Sequence, residues 1–547
     1  MAVYYFFVNI IILLSCLYEW SLFFLFSRSA KQVQQKLLKN ILSTNTKTIY
    51  GQKYNFSKIK SYKEFTMLPL TEYQDYFEYI SKIRQGDGFV LTSNPIQTLI
   101  PTSGTTQGSK LIPFNKKIKN RFQKGLNVWL FNSYLRCPAI LTGQQYWSMS
   151  PITKASNAKS EKISVGFTED SSYFGAVKKY FIQKLFATPV MLQKISDPIA
   201  HEYLTLLFMI CAKDLSLISI WSPTFLIVKL EKLLFYYDQI IKDIAQGTIS
   251  HKIKIDPVIR KLLFSKLKPN PKRAKELSAI NISDKNNWQK IWPKLKIISC
   301  WTDGSSATFA YKLKGLFPKV KIEEKGLIST EGIVTIPWFT KQLKPVAYRS
   351  HFFEFQDIEN KKIYPLWEIV RNKRYTVILT TDGGLYRYKL HDTVEVTDFI
   401  GRIPSLKFIG RETAIVDMVG EKVCEEHIQE IFNRLTHYDF IFKLVSPSIK
   451  EGKLAYTLFL EPKNYHNYNF AHLKQVFENE MRSNFYYLHA QNMSQLEPLR
   501  IFLINHGSGL TTYIKNHLSR GKKEGDIKYQ LLTSDLSWDK IFKGQYV

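Results

Sequence analysis

Five short stretches carry residues whose types and spacing suit chemistry on a phosphate ester. The first is IPTSGTTQGSKLIPF, residues 100–114. Ser103, Thr105 and Thr106 offer hydroxyl donors, Gly104 and Gly108 let backbone N–H groups approach a ligand, and Lys110 adds positive charge. Such a loop suits a polyphosphate, although a polar surface turn draws on the same residue types. It is not a Walker A loop, which needs four residues between its glycines and a hydroxyl residue after the lysine. The second stretch is KGLISTEGIVTIP, residues 325–337, where Glu331 sits between Thr330 and Gly332. A carboxylate there suits Mg²⁺, which takes one or two carboxylates plus phosphate oxygens. The alternative is a helix cap.

In TTDGGLYRYKLHDTVEVTDF, residues 380–399, Asp392 stands at a strand end, either to accept both hydroxyls of a ribose or as a turn aspartate. Arg387 in the same stretch is an ion-pair partner or a phosphate contact. FIGRETAIVDMVGEK, residues 408–422, holds Arg411 and Glu421. GKKEGDIKYQLL, residues 521–532, holds Lys528 in a basic run, where a lysine on its own reads as solvated.

The elements that must position these groups follow from periodicity and punctuation. SAKQVQQKLLKNIL predicts a helix with Val33, Leu37 and Ile41 on one face. PLTEYQDYFEYISKI predicts another, capped by Thr71. TLI predicts a short strand before the first loop, and the segment from Asn115 a helix interrupted by Gly125. Helices are also expected from Asp197-Pro198 and from Ser222-Pro223 to Gly247, with LSLISIW as a strand between them. LKIISCW, SSATFAYKLKGLF and KVKIEEKGLI read as strand, helix, strand, which suits a parallel βαβ crossover. Strands follow in VAYRSHFFEF, YTVILTT and LYRYKL. Beyond about residue 420 the pattern becomes a short α+β unit: helix EEHIQEIFNRL, strands FIFKLVS and LAYTLFLE, helix AHLKQVFENEMRSNFYYL, strand LRIFLIN and helix TYIKNHLSR. The expected organisation is an apolar segment 1–26, a large α/β domain 27–420 with mixed sheets and packed helices, and a small α+β domain 421–547 on a hinge.

At 547 residues the chain exceeds one ordinary core. Hydrophobic residues make up 45% and charged residues 22%, an ordinary globular balance. The net charge of +30 comes from singly scattered lysines, without zinc-finger spacing, RRM signature or basic heptads, so nucleic acid is not an expected partner. Weak attraction to acidic surfaces is. Five cysteines, widely spaced, odd in number and without CxxC, fit a reducing compartment. Residues 1–26 carry only Glu19 as a charge, long enough for a membrane span. Arg28 and Lys31 follow and would keep the body cytoplasmic. The competing expectation is a helix packed on the body of the protein.

Taken in order, PTSGTT…KLIP, WSPTFL, WPKLKIISCW, KGLISTEG, GLYRYKL and GRETAIVDMVGEK resemble the GH3 family of acyl-acid amido synthetases, within the adenylate-forming superfamily. The resemblance runs from about residue 30 to about 530 and is strongest to the bacterial and animal branch. It implies a ligase that adenylates a carboxylic acid with ATP and Mg²⁺ and passes the acyl group to an amine, such as an amino acid. By position, it implies that Ser103, Gly104, Thr105, Thr106 and Lys110 form the phosphate-binding loop, and that Thr330 and Glu331 contact nucleotide and metal. It further implies that Gly304 and Ser305 line the adenine pocket, that Asp392 binds the ribose, that Arg411 contacts ribose or phosphate, and that Lys528 is the catalytic lysine of the small domain. There are departures: His391 replaces the glycine before the ribose aspartate, Leu327 replaces an aromatic of plant members, and around Lys528 only Gly525 and the lysine are kept. Lys522 and Lys523 are alternatives for that lysine. Two other functions stay open: an acyl-CoA synthetase with the same adenylation half, and a catalytically inert homologue held at a membrane by residues 1–26.

Overall fold

The structure is a computed structural model. It describes residues 2–101, 110–148, 163–165, 176–303, 306–340, 343–411, 415–416, 418–419, 421, 423–435, 437–464, 468–492, 495–522 and 527–547. The chain falls into two compact units. Unit 1 is Met1–Thr302, Thr308–Leu390 and Val394–Lys407; unit 2 is Asp303–Ala307, His391–Thr393 and Phe408–Val547.

Unit 1 is mixed α/β, as the sequence predicts. It opens with helix α1 (Ala2–Leu25), followed by α2 (Ala30–Thr44), whose buried side includes Leu37 and Ile41. Strands β1 (Ile96–Pro101) and β2 (Leu111–Asn115) pair antiparallel, with Pro101 opposite Leu111. The hydroxyl-rich loop therefore joins two strands of a hairpin, not a strand and a helix. Helix α3 (Lys116–Arg136) starts at Asn115, whose side chain accepts from the Ile118 N–H. β3 (Gln144–Trp147), β5 (Leu215–Ser219), β6 (Ile297–Cys300) and β7 (Lys321–Glu324) form a wholly parallel sheet in chain order. The two-residue β4 (Ser164–Val165) pairs with β1. Helices α4 (Pro198–Cys211), α5 (Pro223–Gln246) and α6 (Ala307–Leu316) lie in the crossovers. The expected punctuation holds: the Asp197 carboxylate caps α4, and α5 ends at Gly247 with φ +68°.

A second sheet follows, in the hydrogen-bonded order β12-β11-β10-β8-β9: Ile403–Arg411, Tyr388–Ile400, Arg374–Thr380, Phe352–Asp357 and Ile363–Pro365. Its buried Phe353, Phe355, Val377 and Leu379 share one core with α1, α2 and α3.

Two local expectations are corrected. Thr71 does not cap a helix. Its hydroxyl donates to the Tyr386 carbonyl, while Glu72 opens a 3₁₀ turn, Tyr73–Tyr76, that leads into the Phe77–Gln85 helix. Gly125 does not interrupt α3, which is continuous through it.

One side of α1 packs on unit 1. The Asn9 amide donates to the carbonyls of Leu141 (2.8 Å) and Gly143 (3.2 Å) and accepts from the Tyr134 hydroxyl (2.7 Å). Glu19 is buried and paired with Arg349 at 2.6 Å, and Trp20 donates to Asn132. All five cysteines are free thiols.

Unit 2 has the predicted α+β character. A four-stranded sheet runs β15-β16-β17-β18 (Phe440–Lys450, Lys453–Pro462, Arg500–Ile504, Gly544–Tyr546), beside a small hairpin of β13 (Ile415–Val416) and β14 (Val423–Cys424). Helices α7 (Glu425–Arg434), α8 (Phe470–Met481), α9 (Phe485–Asn492) and α10 (Gly509–Ser519) complete it. The single helix expected over AHLKQVFENEMRSNFYYL is two helices. The Arg482 and Ser483 N–H groups close the first, and Asn484 starts the second.

Candidate active site

Ser103, Gly104, Thr105, Thr106, Gly304 and Ser305 lie outside the described residues, as does Lys523.

In unit 1, Thr330 and Glu331 occupy the tip of a tight hairpin. Ile328 bridges Ile333 antiparallel, and the Ser329 N–H donates to the Gly332 carbonyl at 3.0 Å. The hairpin is fixed from two sides. A side chain at Gly332 would meet the His351 ring and Leu379 at about 3 Å, and one at Gly125 of α3 would meet Ile333 Cδ1 at 2.4 Å. Both glycines therefore serve close approach of backbone to neighbour. His351 Nε2 accepts from the Ile333 N–H at 3.2 Å, and burial pushes this imidazole down to about pKa 3, so it stays a neutral acceptor. On this support Glu331 is only 7% exposed, and its carboxylate has no hydrogen-bond or ion-pair partner among the described residues. Buried carboxylates ordinarily have partners. One left without them fits a cation, and a hard divalent ion that draws its other ligands from phosphate and water is the natural match. Lys110 begins the strand after the loop; its ammonium lies over the Tyr73 ring at 5.7 Å, and the Tyr73 hydroxyl accepts from the Leu111 N–H.

The C-terminal edge of the parallel sheet, where ligands of open α/β sheets bind, holds a group the sequence reading missed. Lys325 is buried, donates to Ser219 Oγ (2.6 Å) and the Ile220 carbonyl (3.0 Å), and lies over the Trp221 ring at 4.6 Å. Its position within KGLISTEG was the available signal. Arg387, left open between two roles, is a structural ion pair: the guanidinium holds Glu354 at 3.0 Å and donates to the carbonyls of Thr66 and Leu68.

In unit 2, Asp392 is 3% exposed and is held by Arg411 Nε at 2.9 Å. His391, beside it, has φ +60°, the left-handed conformation for which glycine is the easy residue. Residues 391–393 belong to this unit with Arg411, and the Asp303 carboxylate accepts from the Phe408 N–H at 3.3 Å. Glu421 is buried and accepts from the N–H groups of Met418 and Val419 and from the Tyr456 hydroxyl, so it organises its own turn.

Lys528 is exposed between two buried neighbours, Ile527 and Tyr529. The segment is clamped along its backbone. Tyr513 donates to the Lys528 carbonyl and accepts from the Gln530 N–H, Tyr529 donates to the Lys443 carbonyl, and the Leu531 N–H donates to Glu425. Burial raises the Glu425 carboxyl to about pKa 7, against the opposing pull of the Leu531 and Leu532 N–H groups and of Arg411. Sequence reasoning missed Glu425, since its partner lies 106 residues away. Lys522, the alternative lysine, is half-buried, with its pKa lowered by burial and then by Arg520.

The sequence matches the GH3 family N-terminal domain over residues 21–322 and the GH3 family central domain over residues 345–411. Indole-3-acetic acid-amido synthetase GH3.4 of Arabidopsis thaliana is 25% identical over 433 residues, covering 74% of this chain and 71% of that protein. Jasmonoyl--L-amino acid synthetase GH3.5 of Oryza sativa subsp. japonica is 26% identical over 450 residues, covering 74% and 75%. Among solved structures, GH3.15 acyl acid amido synthetase superposes with a TM-score of 0.82 at 19% identity, over 96% of each chain. 2-Hydroxyisobutyryl-CoA ligase in the postadenylation state reaches 0.54 at 10% identity, over 93% of this chain and 90% of that one. At these identities the superpositions establish the fold. The two relatives named are plant proteins and give no support to a nearer likeness to bacterial and animal members.

Proposed function

The chain belongs to the GH3 family, and from that premise we propose that it is an ATP-dependent acyl-acid amido synthetase. One relative is named an indole-3-acetic acid-amido synthetase and the other a jasmonoyl-L-amino acid synthetase. The proposed reaction is of that class: a carboxylic acid is activated with ATP and joined to an amine, most simply an amino acid. In the first step the substrate carboxylate attacks the α-phosphorus of ATP and pyrophosphate departs. In the second the amine attacks the acyl carbon and AMP departs.

Glu331 carries this reading: the residue is 7% exposed, its hairpin is braced on both sides, and its carboxylate has no partner among the described residues. Glu331 and Thr330 would hold Mg²⁺ with the nucleotide. When bound, the ion spreads the negative charge that builds on the departing pyrophosphate. The loop from Ser103 to Lys110 would donate to the same phosphates. Asp392 would take the ribose hydroxyls, with Arg411 fixing its orientation, and Gly304 and Ser305 would lie along the adenine. Lys528 would neutralise carboxylate and α-phosphate as they meet. The domain reading is part of the proposal: residues 27–420 bind nucleotide and acid, while residues 421–547 bring the lysine in and withdraw it, working in the cytoplasm.

The test is ATP–pyrophosphate exchange with a panel of carboxylic acids, followed by mass analysis of products formed with amino acids or with CoA. Acid-stimulated exchange and an amide product support the proposal. A thioester in place of the amide would make the chain an acyl-CoA synthetase. Absence of exchange across the panel would leave the inert homologue.

A further inference from the structure

Helix α1 has two faces that its sequence does not distinguish by polarity. Tyr5, Val8, Ile12, Cys16, Glu19 and Phe23 are buried against unit 1. On the opposite face, at the spacing of one helical stripe, Phe7 is 62% exposed, Leu14 60%, Tyr18 73% and Leu25 69%, with Phe6 and Phe24 alongside. No charged residue stands on this outer face, because Glu19, the helix's single charge, is turned inward to Arg349. Contiguous apolar exposure on this scale marks an interaction surface. The neighbouring Ala176–Leu185 helix packs on α1 and carries the exposed Tyr180.

We infer that α1 docks on an anionic lipid surface, lying in the plane of the interface with its outer face among the acyl chains and its inner face still on unit 1. Two observations choose this occupant. The first is charge. Arg28, Lys31, Lys36 and Lys39 are exposed just beyond the patch, with no acidic residue between positions 27 and 44, and the exposed Lys184 lies over Tyr180 at 5.2 Å. A basic segment following an apolar stripe complements anionic headgroups. A second copy of a chain with net charge +30 would meet the same segment with the same sign. The second is anchoring. Asn9 donates to two carbonyls of unit 1 and accepts from Tyr134, and Glu19 is paired. A helix crossing the bilayer would leave all of these groups stripped of partners, whereas a helix lying in the interface keeps them. The outer-face aromatics Phe6, Phe7, Tyr18 and Phe24 suit the headgroup boundary, where ring and hydroxyl find different surroundings.

The inference is independent of the reaction, and its test needs none. Full-length protein is floated with vesicles of phosphatidylcholine alone or with about one-fifth phosphatidylserine. Binding is expected to the anionic vesicles, to weaken sharply at about 0.5 M salt, and to be released by alkaline carbonate. Phe7→Ser/Leu14→Ser/Tyr18→Ser should lose at least about tenfold in vesicle binding with an unchanged melting temperature, since these side chains touch water in the free protein. Arg28→Gln/Lys31→Gln should lose the preference for phosphatidylserine. Failure of the wild type to float, equal binding by the triple serine variant, or retention after carbonate would each overturn the inference. So would a wild-type dimer that the triple variant converts to monomer, because a second copy would then be the occupant.

Discussion

At the scale of single residues, the test of Glu331 is that activity and stability should part company. Most buried carboxylates contribute to the fold through a partner, so removing them costs both. Glu331 has no such partner among the described residues. Glu331→Gln should therefore lower kcat/KM by about 100-fold or more while changing unfolding free energy by less than about 1 kcal/mol. Exchange kinetics and thermal melts on the same preparation check it, and a large loss of stability would assign the residue to the fold. Glu425 is the converse case. Its carboxyl titrates at about pKa 7 in the folded protein, against an ordinary value of 4.5. The unfolded chain therefore releases this proton at lower pH than the folded one. The contribution to stability is full below about pH 4.5 and is lost as pH rises through about 7, amounting to about 3 kcal/mol at most. Glu425→Gln, which stays neutral, should flatten that part of the stability profile between pH 5 and pH 8, read by denaturant melts at each pH. An unchanged profile would mean that the carboxyl titrates normally.

At the scale of elements, the sequence was legible where a helix was long and punctuated. Asp197-Pro198 and Gly247 mark real ends because a cap and a left-handed residue are local devices. Short strands were not legible. β2 has five residues and β18 three, too few for a period to show, and β18 exists only because β17 pairs with it. Thr71 was misread because its hydroxyl answers to Tyr386, more than three hundred residues along the chain. The same limit governs the site. Residue types pointed to Glu331, Asp392 and Lys110, and the order of the motifs pointed to the family. What holds Glu331 in place is His351 and Gly125, and neither carries a signature. Gly125 read as a break in α3, whereas the structure makes it a contact surface. Gly125→Ala should push Ile333, and with it the hairpin tip, away from α3. The expected cost is about 1–3 kcal/mol, with a fall in kcat larger than the fall in stability at working temperature would explain. Melting temperature and exchange rate, measured together, decide it. A variant with wild-type exchange would show that α3 tolerates the extra methyl group without moving the hairpin.

At the scale of the whole molecule, the two units divide the labour. The groups assigned to metal and phosphate, Glu331, Thr330 and Lys110, belong to unit 1, and Lys528 belongs to unit 2. In unit 2 the backbone around Lys528 is tied down by Tyr513, Tyr529 and Glu425, while the side chain itself is exposed. A firmly held segment with an outward lysine is a means of presenting charge, not of packing a core. The first reaction step brings two anions together and needs that charge. The second, attack by a neutral amine on an activated acyl group, does not. Lys528→Ala should therefore reduce ATP–pyrophosphate exchange by about 100-fold to 1,000-fold. Aminolysis of an acyl-adenylate supplied from outside should stay within about twofold of wild type. Lys522→Ala is the control, since that half-buried lysine is the nearest rival, and it should leave both steps close to wild type. If Lys528→Ala slows both steps equally, the lysine positions the nucleotide throughout and the two-conformation cycle is not needed. If Lys522→Ala instead takes away exchange alone, the delivering residue is Lys522, and the family's lysine has shifted within its loop.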